Sequence, residues 1–220
     1  MAIINAVMTD TGLNLIAQHL AGTVSDFSFS YFKIGEGGFN ESGGIKTAKT
    51  PDATYTSIES DGTVLSGSLT FSNGSSSVSG SSTAFSTEIT PGQYIRLDAD
   101  LVWYEVATIT DDNNLTLTST YNETGGSGPG SVITTNYAVY KNTFSGTDIT
   151  YEGDGKVSAV AFLDFSDGNS NGYEGGDPEY FEIGVYDAND NLLAYGTYPG
   201  ETKNNTIQLN KVVRMTFARV

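Results

Sequence analysis

The sequence contains no cysteine, one histidine and one tryptophan. Without cysteine there is no disulfide staple, no thiolate zinc site and no thiol nucleophile. With His19 as the single histidine, a serine or threonine nucleophile has almost no choice of base, and a metal site must be built from oxygen ligands. Basic residues are also scarce: 10 Lys and Arg stand against 26 Asp and Glu, a formal net charge of −16. Nucleic-acid affinity comes largely from lysine and arginine replacing counterions, so DNA and RNA are not expected partners. An anionic membrane surface is disfavoured for the same reason. No apolar run approaches the roughly 20 residues of a membrane helix, so membrane insertion is not expected. The opening MAIIN lacks the basic region of a signal peptide. Synthesis in, and initial residence in, a cytoplasm is therefore expected.

What is present points to a folded β protein. Hydrophobic residues make up 38 %, with 13 Tyr and 11 Phe, too many for a disordered chain. One helix is signalled near the start: Thr9 or Asp10 can cap it, Leu13, Ile16, Ala17 and Leu20 recur at helical spacing, and Gly22 suits its C-terminal end. The Leu13, Ile16 and Leu20 stripe is expected to pack on a sheet. Beyond Val24 the pattern alternates with period two between Gly-, Ser-, Asn- and Asp-rich breaks. Strands are expected at 27–31, 64–71, 93–97, 102–109, 115–118, 135–139, 157–165, 180–187, 192–198 and 206–220. Two-sided alternation of this kind belongs to antiparallel sheets with one wet face.

Between Asp61 and Glu123 the one basic residue is Arg96, and Ser, Thr and Gly dominate. The run 123–131, ETGGSGPGS, reads as a flexible connector. The expected organisation is a mainly β chain. An antiparallel β-sandwich-like domain with one N-terminal α-helix, residues 1–55 plus 132–220, is interrupted by a small β-barrel or sandwich at 56–131.

The segment MTDTGLNLIA (8–17), followed by FKIGEG (32–37), resembles the start of bacteriophage tail-collar and tail-fibre N-terminal domains. The later EIGVYDANDNLLA (182–194) is similar to a hairpin of the same proteins. The middle block, with VLSGSLTF (64–71), SSSVSGSSTAF (75–85), ITPGQYI (89–95), WYEV (103–106) and LTL (115–117), resembles a small β module recurring in phage virion proteins, with Gln93 in place of the usual acidic residue. The resemblance implies a structural component of a virion tail, a baseplate, collar or tail-fibre attachment protein. It would join virion parts by protein–protein contacts, sit in the phage tail, and assemble as a homo-oligomer, a trimer or ring. A receptor- or glycan-binding tail-tip module, or a head-decoration or neck protein, is the alternative.

No motif names a reaction, so no enzyme is expected, and no catalytic, cofactor or metal residue is assigned. His19 reads as a boundary residue of the helix. Gly35-Glu36-Gly37-Gly38 lacks the Gly-Lys-Ser/Thr ending of a phosphate loop and opens no helix, so it reads as a turn. The stretch 187–191 has the first spacings of a calcium loop, but Leu192 and Tyr198 stand where Gly and Glu belong, and it reads as a hairpin turn. Acidic loops at 164–167 and 174–179 are weaker cation candidates. Tyr173, Tyr180, Tyr186, Tyr195 and Tyr198 could stack on sugars if exposed, or fill the edge of a β core. Trp103 is expected to anchor the core of the middle module.

Overall fold

A computed structural model describes residues 2–24, 27–169, 172 and 176–216. The chain is mainly β, 47 % strand and 9 % helix, with a curled eight-stranded sheet of β-sandwich-like form. It divides into two compact units, Met1–Ser60 with Val139–Val220, and Asp61–Ala138.

The first unit begins with β1 (Ala2–Met8), α1 (Asp10–Leu20), β2 (Tyr31–Gly35) and the hairpin of β3 (Phe39–Ser42) and β4 (Ile45–Ala48). The second contains β5 (Thr63–Val64), β6 (Ser68–Phe71), β7 (Ser77–Ser81), a short α2 (Phe85–Glu88), β8 (Tyr94–Leu97), β9 (Tyr104–Asp111), β10 (Asn114–Leu117), β11 (Gly126–Gly128) and β12 (Gly130–Ile133). The chain then returns to the first unit as β13 (Val139–Thr143), β14 (Ile149–Gly153), β15 (Lys156–Leu163), β16 (Glu179–Tyr186), β17 (Leu192–Thr202) and β18 (Leu209–Thr216).

In the first unit the strand order is β13-β2-β16-β17-β1-β18-β15-β14. Strand β1, absent from the sequence-based expectation, sits at the centre and changes partners along its length. Residues 2–6 pair parallel with β18, and Val7 and Met8 pair antiparallel with β17. The sheet is therefore antiparallel save for this one pair. The outermost strands β13 and β14 are joined by only residues 144–148, which requires the sheet to curl so that its edges approach. Phe144 helps to close the curl, its ring 5.3 Å from that of Phe32. Inside lie Ile4, Ala159, Ala161, Ile183, Val185, Val213 and Met215, all buried. The expected strand at 27–31 begins only at Tyr31, and 135–139 is largely irregular, with β13 starting at Val139. Of the expected last strand, 217–220 lie outside the described residues.

Helix α1 packs differently from its expected stripe. Gly12 is its buried residue, whereas Leu13 is 50 % and Leu20 82 % exposed. A Cβ on Gly12 would stand 2.3 Å from the Leu193 carbonyl oxygen, so the helix backbone itself lies on β17. So close an approach turns the Gly12 face to the sheet and carries Leu13, Ala17 and Leu20 outward, since 3.6-residue periodicity cannot bury both faces.

In the second unit the order is β11-β6-β7-β10-β9-β8-β12-β5. Its two ends belong together: β5 runs into β6 and β11 into β12, and the two ribbons pair antiparallel on both sides of a bend, 63–64 with 131–132 and 69–71 with 126–128. The Leu65 N–H donates to the Gly130 carbonyl between them. The sheet thus closes on itself as a small barrel around Leu69, Phe71, Phe85, Ile95, Val106, Leu115 and Tyr121. This corrects the reading of 123–131 as a flexible connector. Residues 126–128 and 130–133 are strands, and Gly130 lies so close to its neighbour that a Cβ there would press to 2.7 Å from the Arg96 carbonyl oxygen. It also corrects the role of Trp103, which is buried outside that core cluster, its ring against the Arg96 guanidinium at 4.5 Å. The core combines aliphatic side chains with Phe71, Phe85, Tyr104 and Tyr121, of which the second helix, α2, contributes Phe85.

Candidate functional site

Strands β2, β16 and β17 carry Tyr31, Lys33 and Gly35, then Glu182, Gly184 and Tyr186, then Tyr195 and Thr197, on one face. Period-two alternation puts them there, opposite Ile34 and Ile183. In most antiparallel sheets such a face is wet. Here it is covered by α1 and by the segment 49–60. Tyr55 packs on Tyr195 at 4.9 Å, the Ile58 N–H donates to the Tyr186 hydroxyl at 3.1 Å, and the Thr197 hydroxyl donates to the Lys49 carbonyl.

Under that cover Glu182 is completely buried. Its Oε1 accepts from the Ser60 N–H at 2.8 Å and the Ser60 hydroxyl at 2.5 Å; its Oε2 accepts from the Glu59 N–H and the Tyr195 hydroxyl, both at 2.9 Å. Burial pushes the Glu182 carboxyl up to about 7, against the downward pull of those four donors. The same burial, with Glu182 beside it, drives the Tyr195 hydroxyl far above its usual range. Next to this centre Glu59 forms an ion pair with Lys49 at 2.6 Å and accepts from the Tyr55 hydroxyl at 3.0 Å.

The glycines of the 35–38 turn exist for this carboxylate. A Cβ on Gly35 would stand 2.3 Å from Ser60 Oγ, and one on Gly37 would stand 2.5 Å from Glu182 Oε1. Gly37 also donates its N–H to Ser60 Oγ at 2.7 Å. Glu36, between them, is buried and accepts from the Glu179 N–H at 3.0 Å. The third segment joins through Thr9, whose hydroxyl donates to the Leu192 carbonyl at 2.5 Å and accepts from the Gly12 N–H at 2.9 Å as the helix cap. The segments 8–17, 32–37 and 182–194, far apart in sequence, are thus brought onto one sheet face. Each contributes close packing or hydrogen bonds there.

The remaining candidates fall into place singly. His19 is exposed in the last turn of α1. The Asp187 carboxylate accepts from the Asn189 and Asn191 N–H groups at 2.9 Å and from Asn191 Nδ2 at 2.8 Å, so it caps the hairpin turn. Asp164 accepts from Gln208 and from the Phe165 N–H, and Asp167 from the Asp164 N–H. Within 174–179, residues 174 and 175 lie outside the described residues, as does Tyr173. Among the described residues no cluster of three or more His, Asp or Glu could hold a metal ion, and no helix is long and apolar enough to cross a membrane. Tyr180, Tyr186, Tyr195 and Tyr198 are all buried and present no face to a sugar.

Sequence reasoning missed Glu182 as a centre. The available signal was a charged residue inside the apolar run EYFEIGVY, since an acidic side chain is almost never fully buried without partners. It also missed the buried Arg96–Asp61 pair at 2.5 Å, for which the isolation of Arg96 in an acidic block was a clue. The chain matches no family model, no curated protein and no solved structure.

Proposed function

We propose that this chain is a structural, non-catalytic component of a bacteriophage virion tail, a baseplate, collar or fibre-attachment protein that joins virion parts through protein–protein contacts. The observation that carries the reading is the convergence of the three segments resembling tail-fibre attachment domains. Thr9 and Gly12 meet Leu192 and Leu193, and Gly35 and Gly37 meet Glu182. Residues that resemble a family's motifs and are spent on packing one sheet face specify a scaffold, whereas a catalytic motif leaves polar groups facing a cleft. Glu182, the carboxyl that burial shifts most strongly among the described residues, is enclosed by its own donors and offers no open position to a substrate.

A charge of −16 suits a protein that is made in many copies and must stay dispersed before assembly. The reading also includes a homo-oligomer, a ring or trimer, because tails are built on symmetric repetition. The test is imaging of purified particles carrying a gold-labelled copy of this chain. Label on the tail, baseplate or fibre root supports the proposal; label on the head alone favours a decoration protein, and unlabelled particles overturn it.

A further inference from the structure

Lys203 directly follows β17 and is fully buried, with 0 % of its surface exposed. A buried lysine ordinarily meets a carboxylate. Here the hydrogen bonds of the amine among the described residues go to uncharged oxygens: Asn169 Oδ1 at 2.7 Å, the Asn204 carbonyl at 2.9 Å and the Phe165 carbonyl at 3.5 Å. Asn169 is held in turn, its Nδ2 donating to the Phe165 carbonyl at 2.5 Å. The amide therefore has a fixed orientation, with its oxygen toward the lysine and its nitrogen turned away.

We infer that Lys203 and Asn169 are the partners of an intramolecular isopeptide bond. With Oδ1 at hydrogen-bond distance and a C=O length of ~1.23 Å, the amide carbon Cγ lies about 3–4 Å from Nζ, close to the separation of a near-attack pair. In the reaction the lone pair of the neutral amine forms the Nζ–Cγ bond, the Cγ–Nδ2 bond breaks, and Nδ2 leaves as ammonia. The proton surrendered by the lysine ammonium leaves with it, so an ammonium side chain and a carboxamide become a secondary amide and an ammonium ion. No oxidant or cofactor is required.

The surroundings favour the step. Burial pulls the Lys203 amine below its usual range, outweighing the upward pull of the nearby Asp167 and Asp164 carboxylates, and so enlarges the neutral, nucleophilic fraction. A small neutral fraction is enough, because ammonia escapes and well-oriented intramolecular reactions run at effective molarities of roughly 10⁵ M or more. The product would tie the loop after β15 covalently to the end of β17, a cross-link in a chain that has no cysteine to make one.

The test is the intact mass of the full chain, denatured, followed by peptide mapping. The expected result is a mass lower than that of the sequence by one ammonia, with a branched peptide joining Lys203 to Asn169. Asn169→Ala and Lys203→Arg should both return to the masses of their sequences; arginine keeps the charge and so the folded loop. A parent chain at its full sequence mass overturns the inference whatever the variants do. So does an ammonia loss without the branched peptide, which marks a succinimide at an asparagine such as Asn73, before Gly74.

Discussion

Ser60 reaches Glu182 twice, through its backbone N–H at 2.8 Å and through its hydroxyl at 2.5 Å, and so fixes the end of the first unit's opening segment to the middle of β16. This pairing makes stability depend on pH in a definite sense. The folded chain holds the Glu182 proton more tightly than the unfolded chain, about 7 against 4.5, so between those values the folded state binds more protons. Stability from this group therefore falls as pH rises through the window, by about 3 kcal/mol in total. Glu182→Gln keeps the shape and should flatten the fall, measured by urea denaturation at a series of pH values. A parent whose stability rises from pH 5 to 7 as steeply as the variant's would contradict the assignment. Below about pH 4 the exposed carboxylates Asp52, Asp111, Glu152 and Asp164, held low by their hydrogen bonds, act in the opposite direction.

Helix α1 should be sensitive at its smallest residue and tolerant at its largest. Gly12→Ala gains helix propensity of ~1 kcal/mol but drives a Cβ against the Leu193 carbonyl, an overpacking cost of typically 1–3 kcal/mol. Thr9→Ala, which removes the cap and the bond to Leu192, should cost about 1–2 kcal/mol. Leu13→Ala and Leu20→Ala, on exposed positions, should stay within about 0.5 kcal/mol. Chemical denaturation of the four variants checks the order; a larger loss at Leu20 than at Gly12 would reverse the assigned helix face.

In the second unit the Arg96–Asp61 pair is buried, and Arg96 also donates to the Asp100 carbonyl at 2.9 Å. Asp61→Ala strands the guanidinium, with its Nε already lacking a hydrogen-bond partner, and should cost about 3–5 kcal/mol. Replacing both by apolar residues, Asp61→Leu with Arg96→Met, should recover most of that loss. If the single and double variants melt together, the pair is not electrostatically coupled.

Limited proteolysis should spare 126–133. Those residues are paired with β6, β8 and β5 although their composition is that of a linker, and protection follows backbone hydrogen bonding rather than composition. First cleavage within 126–133 would show that the barrel is open at this seam.

The parts of the fold legible in sequence were those with a period. Alternation marked β15 to β18, and the block poor in basic residues marked the middle unit. Strand β1 went unread because a short AIINAVM was weighed for targeting alone, and its pairing depends on β17 and β18, some 190 residues away. The helix was found but its face was not: Leu13, Ile16 and Leu20 form the better apolar stripe, yet the close approach of Gly12 to β17 decides the orientation. The glycine-rich run 125–130 misled for a related reason, since glycine reads as freedom in sequence, whereas 126–128 pair with β6 and Gly130 packs against the Arg96 carbonyl. The site was half visible. The motif segments could be quoted, but nothing in their spacing shows that Gly35 and Gly37 leave room for Glu182 and Ser60.

If, as proposed, these segments build an attachment scaffold, the chain must be incorporated into particles. The most direct measurement is quantitative mass spectrometry of purified particles grown with either the parent chain or Glu182→Ala, which removes the carboxylate that Ser60 links to Gly37. The parent is expected at a fixed copy number per particle, and the variant strongly depleted from particles while still present in the lysate. Particles that lack the parent chain, or that take up both forms equally, would contradict it.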